Sequence, residues 1–147
     1  PLTWYLFVGL GLVFIISGHT HFNVNVCFND SLMEHNTAAV CGTWWRADIN
    51  VDGTPRGYGV YEVDGNQVKW LYKSAGYPKE HQLHVYQAGS SDEYPSDIIA
   101  NVWNWDEQWK VEWYENGKRM GEMQRYKGYD PAAKAFCSDK EKMKYEE

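Results

Sequence analysis

Asp64-Gly65-Asn66 and Asn116-Gly117 each separate two segments in which apolar and polar side chains alternate. Alternation puts every second side chain on one face of an extended chain. Asp-Gly and Asn-Gly supply the left-handed backbone that a tight hairpin turn requires. The first hairpin is predicted from Tyr58-Gly59-Val60-Tyr61-Glu62-Val63 and Val68-Lys69-Trp70-Leu71-Tyr72, with Val68, Trp70 and Tyr72 on one face and Lys69 and Lys73 opposite. The second runs from Trp109-Lys110-Val111-Glu112-Trp113 through a turn at Glu115-Asn116-Gly117-Lys118 and returns through Met120 to about Tyr126. Ile98-Ile99-Ala100-Asn101-Val102-Trp103 reads as a further strand. Aromatic residues make up 16% of the chain, and such side chains favour strands, so the two signals agree on a mainly β fold. One short helix is predicted from Pro131, with Asp130 as its N-cap and proline at its first position.

The amino-terminal end is unusual in charge rather than in period. Residues 1–29 contain no Asp, Glu, Lys or Arg, and twelve of the first sixteen are apolar. A membrane-spanning helix needs about 20 such residues, and a signal peptide needs a basic start and a small-residue cleavage site. Neither pattern is present, so no membrane span is predicted. Leu12-Val13-Phe14-Ile15-Ile16 reads instead as a strand buried on both faces. Lacking upstream neighbours, such a strand would leave edges and apolar faces for another chain, which predicts a homo-oligomer formed through residues 1–16. Fourteen basic residues against twenty acidic ones give a net charge of −6, which excludes a phosphate-backbone-binding face of the usual kind.

Directly after this strand stands Ser17-Gly18-His19-Thr20-His21-Phe22. Gly18 allows a sharp turn at a strand end, and His-x-His in loop backbone aims two imidazoles at neighbouring points. Neutral imidazole is the commonest transition-metal ligand, so His19 and His21 are the candidate metal ligands. A pair of polar loop histidines is the plainer alternative.

Ile16-Ser17-Gly18-His19-Thr20-His21 resembles the last metal-binding signature, G-H-x-H, of the calcineurin-like metallophosphoesterases. Glu34-His35-Asn36, Ala39-Val40-Cys41-Gly42-Thr43-Trp44-Trp45, Asp52-Gly53-Thr54-Pro55-Arg56-Gly57-Tyr58 and Ala100-Asn101-Val102-Trp103-Asn104-Trp105-Asp106 resemble a bacterial subgroup of that family with an extra C-terminal domain. The resemblance runs from residue 12 to about residue 136. It implies a sandwich of two mixed sheets flanked by helices, and a site in which two metals (Mn, Zn or Fe) clamp a phosphoester substrate and generate the attacking hydroxide. By position in the motif, His19 would bind one metal and His21 the other. It also slightly favours a periplasmic or secreted location. The family's earlier motifs are D-x-H, G-D and G-N-H, and none occurs in these 147 residues. The reading is therefore the end of a catalytic domain over residues 1–77, followed by an accessory, immunoglobulin-like antiparallel β-sandwich over residues 78–147. Such a chain is expected to be inactive by itself.

The change of domain is placed within Ser74-Ala75-Gly76-Tyr77-Pro78, and a loop or lid at Ala88–Ser96. Glu34, His35 and Asn36 could line a phosphate pocket or form a plain loop. His81 and His84 read as structural residues, pointing to opposite sides of a strand. Trp44-Trp45 and Trp103-Asn104-Trp105 are expected to fill the core, the alternative being a stacking platform, with Trp103 and Trp105 the candidate pair. Cys27, Cys41 and Cys137 lack the spacing of a zinc site; Cys27 and Cys41 could pair in an oxidising compartment, or all three could stay free. Two other classes of function fit the same residues. One is a β-sandwich module binding carbohydrate or protein; the other is an assembly domain that completes its sheet with a second copy.

Overall fold

A computed structural model of the chain describes residues 5–9, 12–65 and 67–144. Asn66 of the first predicted turn, and parts of the segment predicted to form an oligomer contact, lie outside the described residues. The fold is mainly β. In chain order the strands are β1 (Tyr5–Gly9), β2 (Leu12–Ser17), β3 (Val24–Asn29), β4 (Leu32–Asn36), β5 (Gly57–Asp64), β6 (Gln67–Ser74), β7 (Leu83–Tyr86), β8 (Ile99–Val102), β9 (Glu112–Glu115) and β10 (Lys118–Glu122). Two short helices follow, α1 (Pro131–Ser138) and α2 (Lys140–Met143). Among the described residues no helix is long and apolar enough to cross a membrane.

One mixed sheet has the order β1-β2-β4-β3, with β2 and β4 parallel and the other pairs antiparallel. The segment Leu12–Ile16 thus lies inside the sheet, between β1 and β4, and not at its edge. This differs from the expectation of an unpaired strand, because Tyr5–Gly9 folds back onto it as an antiparallel neighbour. The remaining strands form three two-stranded ladders, β5–β6, β7–β8 and β9–β10.

The β5–β6 hairpin forms where predicted, with Asp64 opposite Gln67 and Gly65 in left-handed backbone at φ 59°. In the second hairpin both turn residues, Asn116 and Gly117, have positive φ (50° and 78°). That is the conformation a two-residue turn with matching strand twist requires. Its first strand starts at Glu112 rather than Trp109. The Asp106 carboxylate accepts from the Gln108 N–H at 2.8 Å, and Trp109 N–H donates to Asp106 O, so this stretch is held as a turn. Asp130 caps α1 as predicted, accepting from Ala133 N–H at 2.9 Å.

The core sits between the mixed sheet, β6 and the residues after β8. Phe14 of β2 packs on Trp70 with ring centroids 4.9 Å apart and meets Tyr61 edge-on at 6.3 Å. Tyr72 is fully buried with Ala38 and Trp103, and its hydroxyl donates to Pro55 O at 2.7 Å. Burying a ring of that size contributes about 2–3 kcal/mol. Residues 1–77 and 78–147 share hydrogen bonds. Gln82 Nε2 donates to Tyr72 O at 2.6 Å, and Asn25 Nδ2 donates to Trp105 O at 3.1 Å.

Candidate functional site

Parallel pairing of β2 with β4 brings the two motifs to one end of the sheet. Ile16 stands opposite His35 and Ser17 opposite Asn36, so both strands finish at the same edge. Three hydrogen bonds hold the ends together. Ser17 Oγ donates to Glu34 Oε1 at 2.5 Å, Thr37 N–H to Ser17 O at 2.9 Å, and Thr20 Oγ1 to Asn36 Oδ1 at 2.7 Å. The last of these fixes the residue between the two candidate ligands.

His19 and His21 both adopt left-handed backbone, with φ 78° and 60°. A bulky residue there costs about 1–3 kcal/mol and persists only where its surroundings enforce it. His19 is exposed. His21 is half-buried, and its Nδ1 lies 2.6 Å from Gly42 O. A carbonyl can only accept, so Nδ1 carries a proton, and in the neutral ring the lone pair is on Nε2. The His21 ring stacks on Trp44 at 5.0 Å, and Cys41 Sγ lies 3.9 Å from Nδ1.

The turn that meets His21 is strained in the same way. Trp44 and Trp45 have φ 48° and 66°. Thr43 anchors them, its N–H and hydroxyl both donating to Ile49 O at 2.8 Å. Gly42, at φ 57°, has no room for a side chain: a Cβ would lie 2.9 Å from Ile49 O. Trp44 and Trp45 are 46% and 75% exposed, so they do not fill the core as expected. Left-handed backbone at both positions turns the indoles outward. Trp103 does lie in the core, 3% exposed, and Trp105 carries the Arg125 guanidinium 3.5 Å from its ring centroid.

His35 is fully buried. Asn23 Nδ2 donates to Trp103 O, which turns Asn23 Oδ1 toward His35. His35 Nε2 therefore donates to Asn23 Oδ1 at 2.9 Å, and Nδ1 accepts from the Tyr61 hydroxyl at 2.6 Å. Both ring nitrogens are used and the ring is neutral. Burial pushes its pKa down to about 4. Of the Glu34-His35-Asn36 triplet, Glu34 and Asn36 reach the strand-end cluster, whereas His35 belongs to the core.

A second polar cluster lies under the Asp52-Gly53 turn. Asp52 Oδ2 accepts from Asn23 N–H at 2.7 Å, and burial raises its carboxyl pKa. Asn101 Nδ2 donates to Asp52 O and to Asp130 Oδ2, both at 2.8 Å. Tyr86 donates its hydroxyl to the same Asp130 carboxylate at 2.9 Å. Beside this cluster is a cleft of about 470 Å³ with Arg56, Tyr77, His81, His84 and Tyr86 on its walls. His81 precedes β7 and stacks on Tyr77 at 4.3 Å, whereas His84 lies within the strand. The two histidines share a cleft because only one of them is in the strand. Among the described residues, no group of three or more His, Cys, Asp or Glu side chains is placed to hold a metal ion. Cys27, Cys41 and Cys137 are free thiols.

Comparison with protein families matches residues 34–147 to the C-terminal region of calcineurin-like phosphoesterases. The chain belongs to the calcineurin-like phosphoesterase family, as part of its C-terminal region. No curated protein and no solved structure matches it. The matched span of this phosphoesterase region begins at Glu34, in β4, and takes in the strained Trp44-Trp45 turn, the Asp52-Gly53 turn and α1. Sequence reasoning singled out neither Asn23 nor Asn50 in this chain. Asn50 is fully buried, with Oδ1 accepting from Ala39 N–H at 3.0 Å and Nδ2 donating to Thr54 O at 3.1 Å. The available signal was compositional: lone amides inside uncharged or turn-rich runs usually satisfy backbone groups.

Proposed function

We propose that the chain serves a metal-dependent phosphoesterase and that His19 and His21 are two of its metal ligands. The observation that carries this reading is the tautomer of His21. Its Nδ1–H is committed to Gly42 O, so in the neutral ring Nε2 is the electron-pair donor. Metal-binding histidines are oriented in this way, by giving the other ring proton to a carbonyl or carboxylate. The Thr20–Asn36 hydrogen bond holds the loop between the two imidazoles in place. A divalent ion (Mn, Zn or Fe) at these nitrogens would supply Lewis acidity toward phosphoryl oxygens. The protein's own part is to hold two imidazoles at the carboxyl end of β2, on backbone that the Thr20–Asn36 and His21–Gly42 hydrogen bonds fix. Two imidazoles make half a site, because catalytic ions usually keep three protein ligands each. The remaining ligands would come from D-x-H, G-D and G-N-H segments outside these 147 residues.

The test joins the chain to a segment carrying those three motifs and follows hydrolysis of a chromogenic phosphodiester and phosphomonoester with Mn²⁺. Hydrolysis that falls at least a hundredfold in His19→Ala and in His21→Ala supports the reading. Hydrolysis indifferent to both substitutions overturns it.

A further inference from the structure

The proposed metal ligand His21 does not stand alone. Its ring stacks on Trp44 at 5.0 Å, and Trp45, next in sequence, is 75% exposed. Four non-glycine residues in left-handed backbone, His19, His21, Trp44 and Trp45, fall in two segments that touch at this stacking contact and at Gly42 O. An ordinary surface turn would relieve such strain by placing glycine, asparagine or aspartate there. This turn instead holds two indoles. Thr43 ties them to Ile49 O, Trp45 N–H donates to Cys41 O at 2.8 Å, and Arg46 N–H to Thr43 O at 3.0 Å. Backbone outliers that the surroundings enforce cluster at ligand clamps. Large rigid aromatic faces held out to water bind flat rings at small entropic cost.

We propose that Trp44 and Trp45 form a ring-binding face beside the His19/His21 site, selecting phosphoesters whose alcohol carries a ring. The proposal rests on the metal reading for its substrate class, and on the turn geometry for the ring. Phosphate would lie toward the imidazoles and the alcohol toward the indoles. Because His21 and Trp44 are in contact, a single ligand of ordinary size spans both. An aromatic ring would offer an indole its π face and a sugar ring its C–H face, and the experiment separates them.

The 147-residue chain, with ¹⁵N-labelled indoles and imidazoles and Zn²⁺ present, is titrated with phenyl phosphate, a hexose phosphate and ethyl phosphate. Phenyl or hexose phosphate is expected to shift the Trp44 and Trp45 indole signals, and ethyl phosphate to leave them in place. Whichever ring ester shifts them identifies the source. Trp45→Ala is expected to weaken that ester about tenfold, whereas Trp45→Phe, which keeps a ring, retains most of the affinity. Trp45 is mostly exposed, so its truncation leaves the core intact. Equal binding of all three esters, unmoved Trp44 and Trp45 signals, or no loss in Trp45→Ala would overturn the proposal. Adenosine and methyl glucoside, titrated without Zn²⁺, test the ring face by itself. Indole shifts there uphold it even if Zn²⁺ leaves the His19 and His21 signals unchanged, a result that counts against the metal reading alone.

Discussion

His35 Nε2 donates to Asn23 Oδ1 across 2.9 Å, and through the Asn23 amide it is tied to the backbone of Trp103, far along the chain. That relay joins the mixed sheet to the segment after β8, and it requires a neutral imidazole. A second proton would make Nδ1 a donor and reverse its bond with the Tyr61 hydroxyl, and burial disfavours that charged ring.

Stability should therefore fall with acid. The His35 pKa is lowered from 6.5 to about 4 by burial. Between those values the unfolded chain binds the proton and the folded chain does not, so unfolding gains as pH drops from about 6.5 to about 4. The full effect is about 3 kcal/mol. Asp52, whose carboxyl burial raises, acts with the opposite sign at the acid end. Urea denaturation at a series of pH values checks this, and His35→Ala should flatten the dependence. His35→Ala should also cost about 2–4 kcal/mol at neutral pH, since it strands buried partners.

Gly53 and Asp130 should be coupled. A Cβ on Gly53 would run into the Asp130 carboxylate, and its φ of +81° disfavours any side chain. Gly53→Ala should destabilise by about 2–3 kcal/mol. Asp130→Ala should cost about 2 kcal/mol, through the lost cap of α1 and the lost acceptor for Tyr86 and Asn101. The double variant should cost less than the sum, because removing the carboxylate also removes the collision. A thermal-denaturation cycle over the four proteins measures the difference.

The isolated chain should not hydrolyse phosphoesters. Its described residues bring no three ligand-type side chains together, and two imidazoles hold at most one ion weakly. Incubation with Mn²⁺ and a chromogenic phosphomonoester should release product no faster than in the His19→Ala/His21→Ala variant. Turnover that disappears in that variant would mean that the chain builds a site of its own.

Association should depend on the sheet edge. β1 lies at one side of the mixed sheet, with β2 as its partner among the described strands. An edge of this kind is a template for another chain. Light scattering is expected to show a dimer or larger species, and a proline at Phe7, within β1, should shift it toward monomer. A monodisperse monomer at high concentration would refute this.

Local chemistry alone determined a good part of this protein. Asp-Gly and Asn-Gly between alternating runs determined the two hairpins, and Asp130-Pro131 determined the start of α1, because turn and cap preferences act within a few residues. The G-H-T-H motif after an apolar run was legible for the same reason: a strand end and a glycine are local features. Only the tertiary structure decided what the histidines and tryptophans became. His21 received its tautomer from Gly42 O, twenty-one residues away. His35 was drawn into the core by Asn23, Tyr61 and Trp70. Trp103 went inside and Trp45 outside, although both are tryptophans in aromatic-rich runs. Residue type sets how much a side chain gains from burial. Which indole is buried depends on backbone direction, and at Trp44 and Trp45 that is set by hydrogen bonds from Thr43 to Ile49, which only the folded turn brings together.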